Sequence, residues 1–192
     1  MNSYIETIKA INGDIYHIDY HQKRYEFVLN SFGVNDVKNL ADFLDPPKDG
    51  LYKCRLVYNF NDIDVSYSKY KKRNISSLKI IFDKDIDYSY KSIDRRELDS
   101  LFTLKGKCDD VLIIKNSLVT DTTIANVAFY RDGFWFTPKE PLLKGTTRAR
   151  LLDNNTIVEA DIKVQELKSF SKVALLNAMI DFDILENCEL LV

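Results

Sequence analysis

Four places in the chain carry residue types that could do chemistry together. The segment "KGTTRARLL", residues 144–152, reads as a helix start with Thr146 or Thr147 as N-cap. Such a helix end offers unpaired backbone amides, hydroxyls and the positive end of aligned peptide dipoles to an anion. A threonine there can equally do no more than cap its helix. Arg24, in "YHQKRYEFVLNSFG", shares a helical stripe with Tyr20, Val28 and Phe32. A guanidinium on an apolar face needs an anion, either a carboxylate of the same protein or a bound ligand. Asp121, in "LVTDTTIAN", ends an apolar strand, where it either makes an ordinary Asx turn or meets a cation. Lys91, in "YSYKSIDRRELDSLF", sits where strand-like alternation gives way to helix signals. A lysine held at a strand end, a buried acid and a phosphate cradle are the parts that pyridoxal phosphate requires. The lysine amine joins the cofactor aldehyde, the acid keeps the ring nitrogen protonated, and the cradle takes the 5′-phosphate.

The elements that must position these residues follow from pattern and turn chemistry. "ETIKAI" and "DIYHID" flank Asn12-Gly13, the pair that best tolerates a type I′ hairpin turn. A helix follows through Arg24 and ends at Gly33, a natural C′ residue. "FLDPPKDG" breaks the chain, after which "YKCRLVYNF" and "IDVSYSKY" read as a second hairpin and "LKIIFDKDIDYSY" as a strand leading to Lys91. Asp94 as N-cap with Glu97 three residues on makes a capping box, and Leu98, Leu101 and Phe102 supply the apolar face behind it. Downstream, "DDVLIIK", "LVTD", "IANVAFYR" and "FWFTP" are strands, with turns at Asn116-Ser117 and Asp132-Gly133. The tail offers a helix, "VQELKSF", and a strand, "KVALLNAMI". The expected class is α+β in two lobes, 1–85 and 86–192, hinged near residues 84 to 91 with the cofactor site between them.

Bulk composition narrows the function further. A formal net charge of −2 gives no global basic field, so nucleic-acid binding is not expected, and the run "KYKKR" reads as a solvated strand end. Three widely spaced cysteines, with only His17 and His21 as imidazoles, give no zinc spacing and point to a reducing cytoplasm. Neither a leader nor a membrane-spanning apolar run is legible.

The motifs taken in order resemble the class IV aminotransferases, the fold type IV pyridoxal-phosphate enzymes that include branched-chain and D-amino acid aminotransferases and 4-amino-4-deoxychorismate lyase. "ETIKAINGDIYHIDYHQKR" resembles the family's early hairpin and its H-x-x-R helix, which implies that Arg24 binds the cofactor phosphate. "YKSIDR" resembles the segment of the cofactor lysine and implies Lys91. "VTDTTIANVAFYRDGFWFTP" resembles the strand carrying the pyridine-nitrogen acid, here Asp121, followed by Asn and Phe and ending at Thr-Pro. "PLLKGTTRARLL" and "LLNAM" resemble the phosphate-binding turns, implying Thr146 and Thr147 and then Asn177 and Ala178.

The resemblance implies a two-lobed D-amino-acid-aminotransferase-like fold with a reduced N-terminal lobe, a small-molecule amine substrate and a homodimer. Two departures stand out: aspartate where the family usually has glutamate, and a chain shorter than usual between Arg24 and Lys91. "KSIDR" is more similar to the lyase's segment than to the glycine-rich stretch of the branched-chain enzymes. The implied activity is therefore lysis of aminodeoxychorismate in folate biosynthesis, with an aminotransferase as the alternative and a non-catalytic protein that kept the fold as a third reading.

Overall fold

Asn12 and Gly13 have φ angles of 52° and 92°, the left-handed pair of a type I′ turn, and they close a hairpin between β1 (Tyr4–Ile11) and β2 (Asp14–Ile15). The computed structural model describes residues 3–192, which fall into two units. The first comprises Met1–Lys72 and Tyr90–Asp94. In it β1 pairs along its length with β3 (Leu51–Tyr58), which pairs with β4 (Ile63–Lys69), giving the antiparallel order β2-β1-β3-β4. Alternation along β1 turns Tyr4, Glu6, Ile8 and Ala10 inward. The helix α1 (Ile18–Ser31) contributes to the same core, with Tyr25, Val28 and Leu29 meeting Tyr4, Leu56 and Tyr58.

The inward stripe of α1 is His21, Tyr25, Val28 and Leu29, one position round from the expected Tyr20, Arg24, Val28 and Phe32. The β-sheet selects that face: the Tyr25 ring meets Tyr58 edge-on at 4.8 Å, while Phe32 stays 43% exposed. Gly33, with φ of 76°, ends the helix as expected. Its N–H donates to Asn30 O and that of Val34 to Leu29 O, a Schellman arrangement that a Cβ at this φ would strain.

The second unit comprises Arg73–Ser89 and Arg95–Val192. Its elements run β5 (Ser77–Phe82), α2 (Arg96–Thr103), β6 (Asp110–Lys115), β7 (Leu118–Thr122), β8 (Asn126–Arg131), β9 (Phe134–Pro138), α3 (Thr146–Asp153), β10 (Val158–Ala160), β11 (Lys172–Asn177), β12 (Asp181–Leu185) and β13 (Glu189–Leu191). The sheet order is β10-β9-β8-β7-β6-β5-β13, with β11 joined to β8 and β12 to β11. The type I′ pairs Asn116-Ser117 (51°, 68°) and Asp132-Gly133 (51°, 87°) close the β6–β7 and β8–β9 hairpins. Leu78, Leu112, Val127, Phe129 and Leu175 form the centre of the core. The architecture is α+β.

Several boundaries differ from the sequence reading. The units part at Lys72 rather than at residue 85, because β5 pairs in parallel with β6 and β13 and so belongs to the second sheet. The strand expected to reach Tyr90 stops at Phe82, where Asp83 turns the chain by accepting N–H bonds from Asp85 and Ile86 on its side chain. Tyr90–Asp94 returns to the first unit because the two-residue β2 leaves the start of β1 with an open edge. There Ile5 N–H donates to Lys91 O at 2.9 Å, Tyr4 and Ser92 form an antiparallel bridge, and Ile93 N–H donates to Ser3 O at 3.1 Å.

Asp94 is not the N-cap of α2. Arg95 is, without a side-chain bond, and the Glu97 carboxylate accepts the Asp87 N–H instead. Gly145, not a threonine, caps α3, which puts Thr146 and Thr147 at the first two helical positions. The helix expected in the tail is the 3₁₀ turn Val164–Ser169, and β10, β12 and β13 went unread.

Candidate active site

In the first unit, two titratable or charged side chains, His21 and Arg24, meet one carboxylate. Glu6 lies on the inward face of β1 and is fully buried. Arg24 Nε donates to its Oε1 at 2.8 Å and an Arg24 NH2 nitrogen to its Oε2 at 2.5 Å, while His21 Nδ1 lies 2.6 Å from Oε2. Burial alone would push the Glu6 carboxyl up, but the Arg24 charge and the hydrogen bonds of His21 and Arg24 outweigh it and hold the group at about 2. Burial lowers the His21 pKa; Glu6 opposes this, and the positive charges of Arg24 and Lys91 add to it. Lys91, half-buried, thus stands within electrostatic reach of His21. The anion that Arg24 requires is, in this unit, Glu6.

Glu6→Gln is expected to lower stability by about 3 kcal/mol or more, because the mostly buried Arg24 guanidinium and the buried His21 imidazole lose the carboxylate charge that both of them meet. Urea unfolding across pH checks this and its sign. The low folded pKa means that the Glu6 contribution is present above about pH 4.5 and is lost as pH falls towards 2. The variant should therefore show a flatter acid limb than the parent.

In the second unit, Asp121 is buried at the end of β7. Its Oδ1 accepts from Asn126 Nδ2 at 2.7 Å and its Oδ2 from the Leu143 N–H at 2.9 Å. Burial lifts its pKa to about 6, against the pull of the Asn126 and Leu143 bonds, the Arg148 charge and the Leu142 N–H. The Asx-turn reading does not apply, since Thr122 makes the turn by exchanging bonds with Ala125. The stability slope from Asp121 runs opposite to that of Glu6. The folded state takes up a proton near pH 6 that the unfolded chain refuses until about 4, so this contribution is lost as pH rises through 6.

The start of α3 stands next to this acid. The amides of Thr146, Thr147 and Arg148 have no acceptor within the helix, that of Ala149 being the first to turn back, to Gly145 O at 2.9 Å. Gly145 offers no side-chain cap to cover them. A side chain cannot be added there, since a Cβ would stand 2.0 Å from Asn126 Oδ1, and Asn126 is itself fixed by Asp121 and by Leu143 O at 2.8 Å. Acid, asparagine, turn and helix end are therefore one bonded assembly. Arg148, also buried, donates to Pro138 O and Glu159 Oε1.

Asn177 ends β11, and its side chain is largely committed: Nδ2 donates to Ile124 O at 3.2 Å, and Oδ1 accepts the N–H groups of Met179 and Ile180. Any anion contact by Asn177 and Ala178 thus falls mainly to the backbone of the β11–β12 turn. Of the expected site residues, Arg24 and Lys91 lie in the first unit, and Asp121, Thr146, Thr147, Asn177 and Ala178 in the second. Glu6, His21 and Gly145 were missed as members of these clusters. Alternation in "YIETIKAI" and the i, i+3 spacing of His21 and Arg24 were the signals available.

Residues 64–182 match the family described as "Amino-transferase class IV". The chain belongs to the class IV aminotransferase family. An uncharacterised protein of Haemophilus influenzae is 35% identical to this class IV chain over 185 residues, covering 93% of it and 98% of the relative. A crystal structure of a Haemophilus somnus protein, named "putative 4-amino-4-deoxychorismate lyase", shares 35% identity and superposes with a TM-score of 0.85, covering 93% of this chain and 97% of the other. The pyridoxal-phosphate-bound form of a hypothetical aminotransferase from Mycobacterium tuberculosis has a TM-score of 0.77 at 14% identity, covering 98% and 81% respectively, a likeness of fold alone. The fold is that of the fold type IV pyridoxal-phosphate enzymes. No helix among the described residues is long and apolar enough to cross a membrane.

Proposed function

We propose that this class IV protein is a pyridoxal-phosphate-dependent 4-amino-4-deoxychorismate lyase that releases 4-aminobenzoate and pyruvate. The observation that carries the reading is the assembly around Asp121, a buried acid bonded to Asn126 and to Leu143 in the loop that leads into α3, whose first amides have no side-chain cap. The near full-length likeness to the Haemophilus somnus protein supports the choice of substrate.

The donor set fits the cofactor: a half-buried lysine, a buried acid for a ring nitrogen, and amides without a side-chain cap for a phosphate. In this reading Lys91 carries the covalent link, Arg24, Thr146, Thr147, Asn177 and Ala178 bind the phosphate, and Asp121 holds a proton on the ring nitrogen. Bound pyridoxal phosphate supplies an aldehyde that links to amines and a ring that accepts the electron pair released next to the substrate nitrogen. The freed Lys91 amine takes the proton from the substrate carbon bearing the amine. Asp121, buried and held by Asn126 and Leu143, keeps its orientation throughout.

We further propose that the chain acts as a homodimer, which light scattering checks. Purified protein loaded with cofactor should convert aminodeoxychorismate to equimolar 4-aminobenzoate and pyruvate. New amino acids from a panel of L- and D-amino acids plus keto acids, with no 4-aminobenzoate, would replace the lyase by an aminotransferase.

A further inference from the structure

Arg24 apart, the proposed phosphate contacts come from two separate stretches of the second unit, the start of α3 and the turn after β11, and one ion pair joins them. Arg150 lies one helical turn beyond Thr146, and its NH2 nitrogen donates to Oδ1 of Asp181. Asp181 is the first residue of β12, opposite Asn177 in the register, and closes the turn with φ of 60°. The turn's other flank is tied by Asn177 to Ile124 O, in the loop that follows Asp121. Arg150 is mostly buried at 15% side-chain exposure, and its Nε makes no hydrogen bond to protein. Its partner Asp181 is half exposed, and its carboxylate accepts from the Arg150 NH2 nitrogen.

We infer that Arg150 and Asp181 are positioning residues that set the spacing between the amides of Thr146 and Thr147 and the backbone of the Asn177–Ala178 turn, and thereby the affinity for a phosphate monoester. The inference rests on the proposed cofactor reading and deepens it. Hydrogen-bond donors that converge on one anion from two elements lose strength steeply once either moves by more than a few tenths of an ångström. The β11–β12 turn has no other side-chain tie to α3 among the bonds described above. The sign of one substitution separates positioning from simple charge. If Arg150 merely attracted phosphate, removing the Asp181 charge would strengthen binding; if the pair holds the turn, it weakens it.

The test measures equilibrium affinity for pyridoxal phosphate and for pyridoxal, which lacks the phosphate, in the wild type, Arg150→Gln, Arg150→Lys and Asp181→Asn, with Tm recorded for each. Asparagine tolerates the left-handed backbone at 181, so that variant keeps the turn's conformation. The expected result is roughly tenfold weaker pyridoxal phosphate binding in Arg150→Gln and Asp181→Asn, near-parent affinity in Arg150→Lys, and unchanged pyridoxal binding in all. Stronger or unchanged pyridoxal phosphate binding in Asp181→Asn, or an equal loss of pyridoxal binding, would overturn the inference. A wild type that binds pyridoxal phosphate no better than pyridoxal would overturn the cofactor reading itself, and the inference with it.

Discussion

On the proposed reading, Lys91→Ala is expected to abolish turnover, by at least about 10⁴-fold, and with it the borohydride-stable attachment of pyridoxal phosphate. The size follows from losing two roles at once, the covalent link and the base that moves the substrate proton, either of which alone is worth orders of magnitude. Borohydride reduction followed by peptide mapping should place the label on Lys91 in the parent and nowhere in the variant. Label on Lys79 or Lys105 would end the assignment. The backbone of the segment is held independently of the substitution, through the Lys91 carbonyl that accepts the Ile5 N–H at 2.9 Å.

Asp121→Asn should keep the fold and much of the cofactor affinity while slowing turnover about 10²- to 10³-fold, as expected when a prearranged charge is removed from a water-poor site. The glutamate variant is more informative. Both carboxylate oxygens of Asp121 already meet donors at hydrogen-bond distance, Asn126 at 2.7 Å and Leu143 at 2.9 Å. A longer side chain must therefore push the 142–143 turn away or leave its rotamer, at about 1 to 3 kcal/mol. Asp121→Glu should lose activity and lower Tm even though it restores the residue usual in the family. Higher activity in that variant, measured with saturating cofactor, would show that the strand has room and that aspartate is the poorer fit.

The strands were legible because their turns are explicit. Asn12-Gly13, Asn116-Ser117 and Asp132-Gly133 all adopt the positive φ pairs that their chemistry prescribes. The ends of helices were not, because a cap is decided by which donor is nearest after folding. Glu97 bonds Asp87 instead of completing a box, and Gly145 displaces the threonines as N-cap because only a residue without Cβ passes Asn126. The position of β5 was hidden for a different reason. A run such as "SLKIIF" suits a strand in either sheet, and only its parallel pairing to β6 assigns it. Lys91 and Asp121 were visible as residue types at element ends. Glu6 was not, since a glutamate among alternating residues looks like a solvated one until the helix above it presents His21 and Arg24.

The lysine segment docks on an open strand edge through Ile5, Tyr4 and Ser3, residues far from it in sequence. Contacts of such long separation close the largest loops and form late, after local hairpins and helices have collapsed. The first unit's sheet can therefore assemble from β1 to β4 before Lys91 arrives, and on the proposed reading cofactor capture is expected among the final events of folding. Refolding followed by tryptophan-independent probes of the sheet should run ahead of the appearance of the cofactor's bound absorbance, even when pyridoxal phosphate is present from the start.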